Sequence, residues 1–346
     1  MANQQVSSQR VIYLDLLRVI ATFAVILLHV SASEFLSPPF SSDRYIALVF
    51  DSLVRWSVPV FVMISGALYL NPNKEKTYRE ILGKRVPRLL LAYVFWTVLY
   101  VLYDYVVTGF EGFSISDLTR KLLLSRFHLW FLPMLMGVYL LIPILKKIAQ
   151  DKKLLKYSLV ILVLYVCISF FSFISLFQMA SHFYPLFTMN MVVGFAGYFL
   201  LGCYLSQQSL SKRQRLVVYL VGVLGAFITI AGTIYMSMKQ GVPNERYYSY
   251  LSFQVMAMAA AVFVFVRQLA PKAGKVVLRF VEWVRKDLFG VYLVHVLWLA
   301  LLNTETFRHC CHEIITLPLI AVAVFVLSLF TTKLIRLVPF LRKVVE

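Results

Sequence analysis

Apolar residues in this chain come in long runs divided by short basic or polar stretches. Ten of these runs approach the roughly 20 residues that cross a hydrocarbon core. They are Val11 to Ala32, Ile46 to Leu70, Leu89 to Val107, Leu129 to Leu145, Leu154 to Phe177, Leu186 to Leu205, Leu216 to Met238, Tyr248 to Val266, Leu288 to Leu302, and Ile314 to Leu337. The fourth is interrupted by Pro133 and ends at Pro143, and the ninth is short. The pattern predicts an all-α polytopic membrane protein with about ten transmembrane helices, built as one integral-membrane domain over residues 1–346 without a separate soluble domain. Ahead of the ninth run, Val276, Val277, Phe280, Val281 and Val284 share a face, with Lys275, Arg279, Glu282, Arg285 and Lys286 largely elsewhere. That division predicts an amphipathic segment lying in the membrane interface.

Polar side chains inside the runs are the candidates for chemistry, because ionisable groups at membrane depth are expensive. Arg18 and His29 both fall in YLDLLRVIATFAVILLHVSA. Eleven helical steps return nearly to the starting direction, so the two leave one helix face roughly 16 Å apart. Asp15 stands one turn before Arg18 and can pair with it, and Thr22 and Ser33 extend the same stripe. Arg55 is a second intramembrane cation. His295 lies near the middle of the ninth run, with Tyr292 one turn earlier, and Arg55 is one group that can serve it as a partner. Ser65-Gly66 in the second run predicts a close helix approach.

Composition narrows the class further. Hydrophobic residues make up 60% of the chain, charged ones 14%, and the mean hydropathy is +0.79; soluble domains carry about a quarter charged residues. The net charge of +18 does not predict a nucleic-acid partner, because the cations fall in alternate loops. With the N-terminus inside, the inner segments hold 25 Lys and Arg and the outer loops 7. This bias predicts a multi-pass protein of the cytoplasmic membrane, in contact with its lipids, with both termini cytoplasmic. Arg18 then sits in the inner half of the first span and His29 near its outer end. The first run holds Asp15, Arg18 and His29 and lacks a small-residue cleavage site, so it reads as a retained span. Four cysteines offer no disulfide framework, and the adjacent Cys310 and Cys311 have poor geometry for a bridge. His309 and His312 beside them lack the spacing of a zinc site, and no metal is expected.

Five motifs in order carry a family resemblance. YLDLLRVIATFAVILLHV, WSVPVFVMISGALYL, KRVPRLL, HLWFLPMLMGVYLLIPIL and FGVYLVHVLW together resemble the membrane acyltransferase-3 family, in its shorter form with the HLWFL variant. The resemblance implies transfer of an acyl group, usually acetyl, from cytoplasmic acetyl-CoA or another acyl-CoA to a hydroxyl of a cell-envelope glycan or lipid-linked sugar. It implies that His29 is the catalytic histidine and Arg18 its paired arginine, with Asp15 beside it. Imidazole suits either of two roles, removing the hydroxyl proton near neutral pH or carrying the acyl group itself, and the sequence leaves both open. Arg18 can anchor the donor or simply hold Asp15. Arg85 and Arg88 match the family's RxxR element and, with Lys84, can clamp the donor's phosphates; topology and anionic lipid are the alternative, and the match to the family element favours the donor role for Arg85 and Arg88. His128 and Trp130, at the outer mouth of the fourth run, can line the acceptor pocket, Trp130 also suiting an interfacial anchor. For His295 and Tyr292 acceptor contact, proton relay and plain packing stand side by side. His182, near Tyr184 in an outer loop, can touch acceptor. The competing reading is a transporter or flippase of a lipid-linked sugar, which predicts repeat symmetry and interrupted helices in both halves; no internal repeat is evident.

Overall fold

The computed structural model describes residues 2–36, 44–71, 78–171, 190–304, 307 and 311–346. His182, Tyr184, His309, Cys310, Lys74 and Lys76 lie outside them. Among the described residues all regular structure is helical. The helices are α1 (Ala2–Phe35), α2 (Tyr45–Val54), α3 (Ser57–Tyr69), α4 (Val86–Val107), α5 (Ile115–Leu124), α6 (Phe131–Leu140), α7 (Ile142–Gln150), α8 (Lys152–Phe171), α9 (Asn190–Gln207), α10 (Lys212–Gln240), α11 (Phe253–Leu269), α12 (Lys275–Val284), α13 (Leu288–Leu302) and α14 (Glu313–Leu337).

Six stretches are long and apolar enough to cross a membrane: Ile12–Phe35, Tyr45–Tyr69, Ile81–Val107, Lys212–Gln240, Arg246–Lys272 and Glu313–Leu337. A seventh results if α5 and the Phe127–Leu140 segment, bent by 49°, form one span. The expected count of about ten is thus six or seven among the described residues, for identifiable reasons. The fourth run breaks at Leu141, between α6 and the Pro143-bearing start of α7, because proline cannot donate to the preceding turn. The ninth is a 15-residue helix. Runs five and six are described only as far as Phe171 and from Asn190. Between the third and fourth runs, Ile115–Leu124 is a further helix, capped by the Ser114 hydroxyl accepting from the Asp117 amide at 3.0 Å.

On α10, packing runs inside out relative to a water-soluble protein. In α10 the buried residues are Gly222, Gly225, Thr229, Thr233 and Ser237, while Leu216, Val217, Leu220, Val223, Leu224 and Phe227 are exposed. Lipid tails are as apolar as leucine, so burying large apolar groups gains little and close approach of small residues holds helices together. The threonine hydroxyls in this stripe turn back onto their own helix, Thr229 to the Gly225 carbonyl (2.8 Å) and Thr233 to that of Thr229 (2.6 Å). The closest crossing joins α3 and α9. A Cβ on Gly66 would lie 1.8 Å from the Phe199 carbonyl oxygen, and one on Gly202 2.0 Å from that of Met63. The expected close approach at Ser65-Gly66 is therefore made by Gly66.

α1 threads the centre, packed against α2, α3, α11, α13 and α14. Its Arg18 half (Leu14, Leu17, Ala21, Val25) joins one core cluster with Met63 and Phe199. Its His29 half (Ile26, Leu28, Val30) joins another with Leu48, Val291 and Val324. On α12, Val281 and Val284 are buried while Val276, Val277, Phe280 and Trp283 stay exposed. The predicted apolar face is therefore divided between protein and surroundings, as an interfacial helix requires.

Candidate active site

Three imidazoles from three separate stretches of chain meet at the His29 end of α1. His29 comes from α1, His128 from a single helical turn (Phe127–Trp130) ahead of α6, and His295 from α13. The His29 and His295 rings stack, with centroids 5.3 Å apart and planes 24° apart. His128 meets His295 edge-to-face at 5.3 Å, and Phe127 covers His29 at 5.1 Å. His29 is partly exposed, whereas His295 and His128 are 0% and 2% exposed. Whatever reaches this cluster reaches His29 first.

Tyr292 holds the buried pair in place. Its hydroxyl donates to the His128 carbonyl oxygen at 2.5 Å, and its own carbonyl lies 2.6 Å from His295 Nδ1. Tyr100 on α4 donates to the Leu293 carbonyl at 2.7 Å and packs edge-on against His128 at 5.0 Å. Both ring nitrogens of His128 and Nε2 of His295 are buried without a hydrogen-bond partner among the described residues. The residues first placed in an acceptor pocket thus divide. His128 and His295 lie within the cluster, while Trp130 stacks on Tyr250 at 5.8 Å, next to Phe195.

A buried ion pair flanks the cluster. Between α2 and α3 the chain turns at Arg55 and Trp56, four residues before Pro59, which has no N–H to offer the Arg55 carbonyl. Arg55 Nε donates to Asp51 Oδ2 at 3.1 Å, with Nη2 on the same oxygen. The guanidinium lies 3.5 Å above the Tyr248 ring and 5.7 Å from that of Tyr250. Arg55 is 7% exposed and Asp51 0%, yet the Arg55 charge reaches His29. Arg55 was one candidate partner for His295; instead it pairs with Asp51, and His295 with the Tyr292 carbonyl.

At the other end of α1, Arg18 Nη1 binds Asp15 Oδ1 at 2.7 Å, as the spacing implied, and Arg285 approaches Asp15 Oδ2 at 3.9 Å. The stripe between Arg18 and His29 is closed. Thr22 and Val25 are 2% and 5% exposed, and the Thr22 hydroxyl donates to the Arg18 carbonyl. Ser33 likewise donates to the Val30 carbonyl and accepts from Asn303. The expected polar seam is therefore two separate polar ends with packed helix between them. Beyond the Arg18 end, Lys84 and Arg85 are exposed on a π-helical turn, Ile81–Arg85. Arg88 approaches Glu346 at 3.7 Å, where Arg336 (2.7 Å) and Arg342 (2.9 Å) also bind. Arg336 and Lys333 pair in turn with the buried Asp287. This fits an anion site with more guanidinium groups than carboxylates. A surface groove along Ser116, Thr119, Arg120, Leu123 and Leu124 includes none of these residues.

Sequence reasoning missed Asp51, Phe127, Tyr100, Asp287 and Glu346. Asp51 was legible as the i−4 partner of an intramembrane arginine, and Glu346 as the i+4 partner of Arg342; Phe127, Tyr100 and Asp287 meet their partners across long stretches of chain, with no local signal. Residues 11–336 match a family described as an acyltransferase domain. No curated protein and no solved structure matches the chain.

Proposed function

The chain belongs to the membrane acyltransferase-3 family, and from that premise we propose that it transfers an acyl group, acetyl in the simplest case, from acyl-CoA to a hydroxyl of a cell-envelope glycan or lipid-linked sugar. The observation that carries this reading is the partly exposed His29 set against buried His295 and His128. One imidazole is open to substrate and two are braced behind it, on elements that contact one another.

His29 acts on the acceptor. A sugar hydroxyl is a weak nucleophile until a base takes its proton, and imidazole does so near neutral pH. The hydroxyl oxygen bonds the thioester carbon, the carbon–sulfur bond breaks, and the proton passes from His29 to the departing sulfur. Trp130 and Tyr250 offer aromatic faces for a sugar ring beside it. Lys84, Arg85 and Arg88, with Arg336 and Arg342, hold the donor's phosphates, guanidinium being suited to forked phosphate contacts. The Lys and Arg bias supports a cytoplasmic position for that end, in the cytoplasmic membrane. Arg18 and Asp15 stand between the two ends, and the helices packed on Thr22 and Val25 part for the donor's acyl arm to reach His29.

Labelled acyl-CoA given to inside-out vesicles, with label counted in the envelope glycan and lipid fractions, tests the proposal. His29→Ala should lower transfer about 10²–10⁴-fold, and Arg85→Gln with Arg88→Gln should raise the donor KM with kcat little changed. Transfer at the wild-type rate in His29→Ala removes the enzyme reading as stated. Movement of unmodified lipid-linked sugar across the membrane, without acylation, makes the protein a transporter.

A further inference from the structure

The hydrogen bond on His295 fixes where its proton sits. A carbonyl oxygen only accepts, so the 2.6 Å contact with the Tyr292 carbonyl puts the proton on Nδ1 and leaves the lone pair on Nε2. Nε2 is buried without any hydrogen-bond partner among the described residues, so a second proton there would find no acceptor. Tyr292 is itself held by its hydroxyl bond to the His128 carbonyl, and Tyr100 braces the same helix at Leu293. The ring of His295 is therefore held neutral, at fixed orientation, with its face against His29 at 5.3 Å and 24°.

We propose that His295 is a positioning residue whose neutral imidazole face stabilises the positive charge His29 gains during acyl transfer. This rests on the transfer reading above, but not on which route His29 follows. As a base, His29 becomes imidazolium while it holds the hydroxyl proton. As a carrier, its nitrogen bonds the acyl carbon, the thiolate leaves, and the ring stays positive until the acceptor oxygen displaces it, the hydroxyl proton going to the thiolate. In both routes one positive charge develops on a ring lying over an aromatic face, within the ~6 Å range of cation–π attraction.

The other groups around His29 give this face its importance. Arg55, from the turn between α2 and α3, acts on His29 with a like charge, tempered by Asp51. His128 couples to His29 from the turn ahead of α6, and Phe127 beside it is neutral. Among the described residues no carboxylate is hydrogen-bonded to the His29 ring. A protonated His295 would repel a charged His29 as Arg55 does; kept neutral, its stacked face opposes the Arg55 charge together with Asp51.

Three substitutions separate the face from the bulk. His295→Phe keeps an aromatic face, His295→Leu keeps bulk without one, and His295→Gln keeps a donor for the Tyr292 carbonyl without a ring. Each is read twice in the full chain in lipid nanodiscs, by the pH–rate profile of acyl transfer and by the ¹⁵N NMR titration of His29. For His295→Leu and His295→Gln, the acid limb of the profile and the His29 titration midpoint should move about 0.7 pH unit lower, and transfer should fall about five-fold at unchanged donor KM. His295→Phe should stay near wild type in both. The proposal is overturned if Leu or Gln titrates like wild type, or if Phe fails as badly as they do. If the His29 titration shifts as expected while the wild-type protein transfers no acyl group, the stacking stands and the transfer reading falls.

Discussion

Arg55 and Asp51 show what a charge at membrane depth requires of its neighbours. The pair is buried, joined on one carboxylate oxygen and covered by the Tyr248 ring; neither partner tolerates loss of the other. Arg55→Met should lower stability by about 3 kcal/mol or more, because it leaves Asp51 as an uncompensated buried charge. The double variant Arg55→Met with Asp51→Leu should recover much of that loss, since an apolar pair of similar volume is often neutral. Thermal unfolding in detergent reads both, and equal loss in the single and double variants would falsify the coupling. Residues of this kind were legible as types but not as partners. An arginine in an apolar run announces a buried ion pair, yet it was first set toward His295, because only the fold decides which of several polar groups at one depth comes within reach. The two imidazoles behind His29 are the same case. His128 and His295 stood out in the sequence, but they lie 167 positions apart in the chain.

Elements are where lipid as the solvent changes the rules. α10 and α14 carry large apolar residues outward, Ile315, Leu319, Val322, Val326 and Phe330 on the latter; α10 buries small residues, whereas α14 also buries Leu317, Ile320, Val324 and Phe325. Contact between α3 and α9 depends on Gly66 and Gly202 meeting the opposite backbone. Gly66→Ala should therefore destabilise the protein by about 3 kcal/mol, the upper range for overpacking, because the obstacle is a carbonyl oxygen and not a flexible side chain. Gly83→Ala, with nothing within 4 Å of the added Cβ, should be neutral or stabilise by up to about 1 kcal/mol through helix propensity. Midpoints of detergent unfolding compare the two, and an unchanged midpoint for Gly66→Ala would remove the close crossing. The ninth run and its helix share their bounds, Leu288–Leu302, whereas the fourth run is divided among shorter helices. Breaks inside runs were harder. The turn at Arg55 and Trp56 lies within an apolar run, and in the polar stretch before α6 one residue of positive-φ backbone, Ser125 at φ 54°, redirects a whole segment.

At the scale of the molecule, the two polar ends of α1 set up a single test of orientation. In a cysteine-free background, Glu111→Cys should react with a membrane-impermeant maleimide added to intact spheroplasts, and Lys343→Cys should react only in inside-out vesicles. The reverse pattern overturns the cytoplasmic placement of the donor site, because that placement rests on the distribution of Lys and Arg between loops. The sequence by itself determined the helical membrane class, the family and the candidate residues for chemistry. These follow from local quantities: how many consecutive residues are apolar, where charges interrupt them, and in what order short motifs recur. Only the tertiary structure decided that His29 is the exposed member of three converging imidazoles, that Thr22 and Val25 close the wall between it and Arg18, and that Arg88 shares Glu346 with Arg336 and Arg342. Those outcomes depend on helix crossings, and in a bilayer a crossing is set by the fit of small residues against a backbone far away in the chain, which no window of sequence contains.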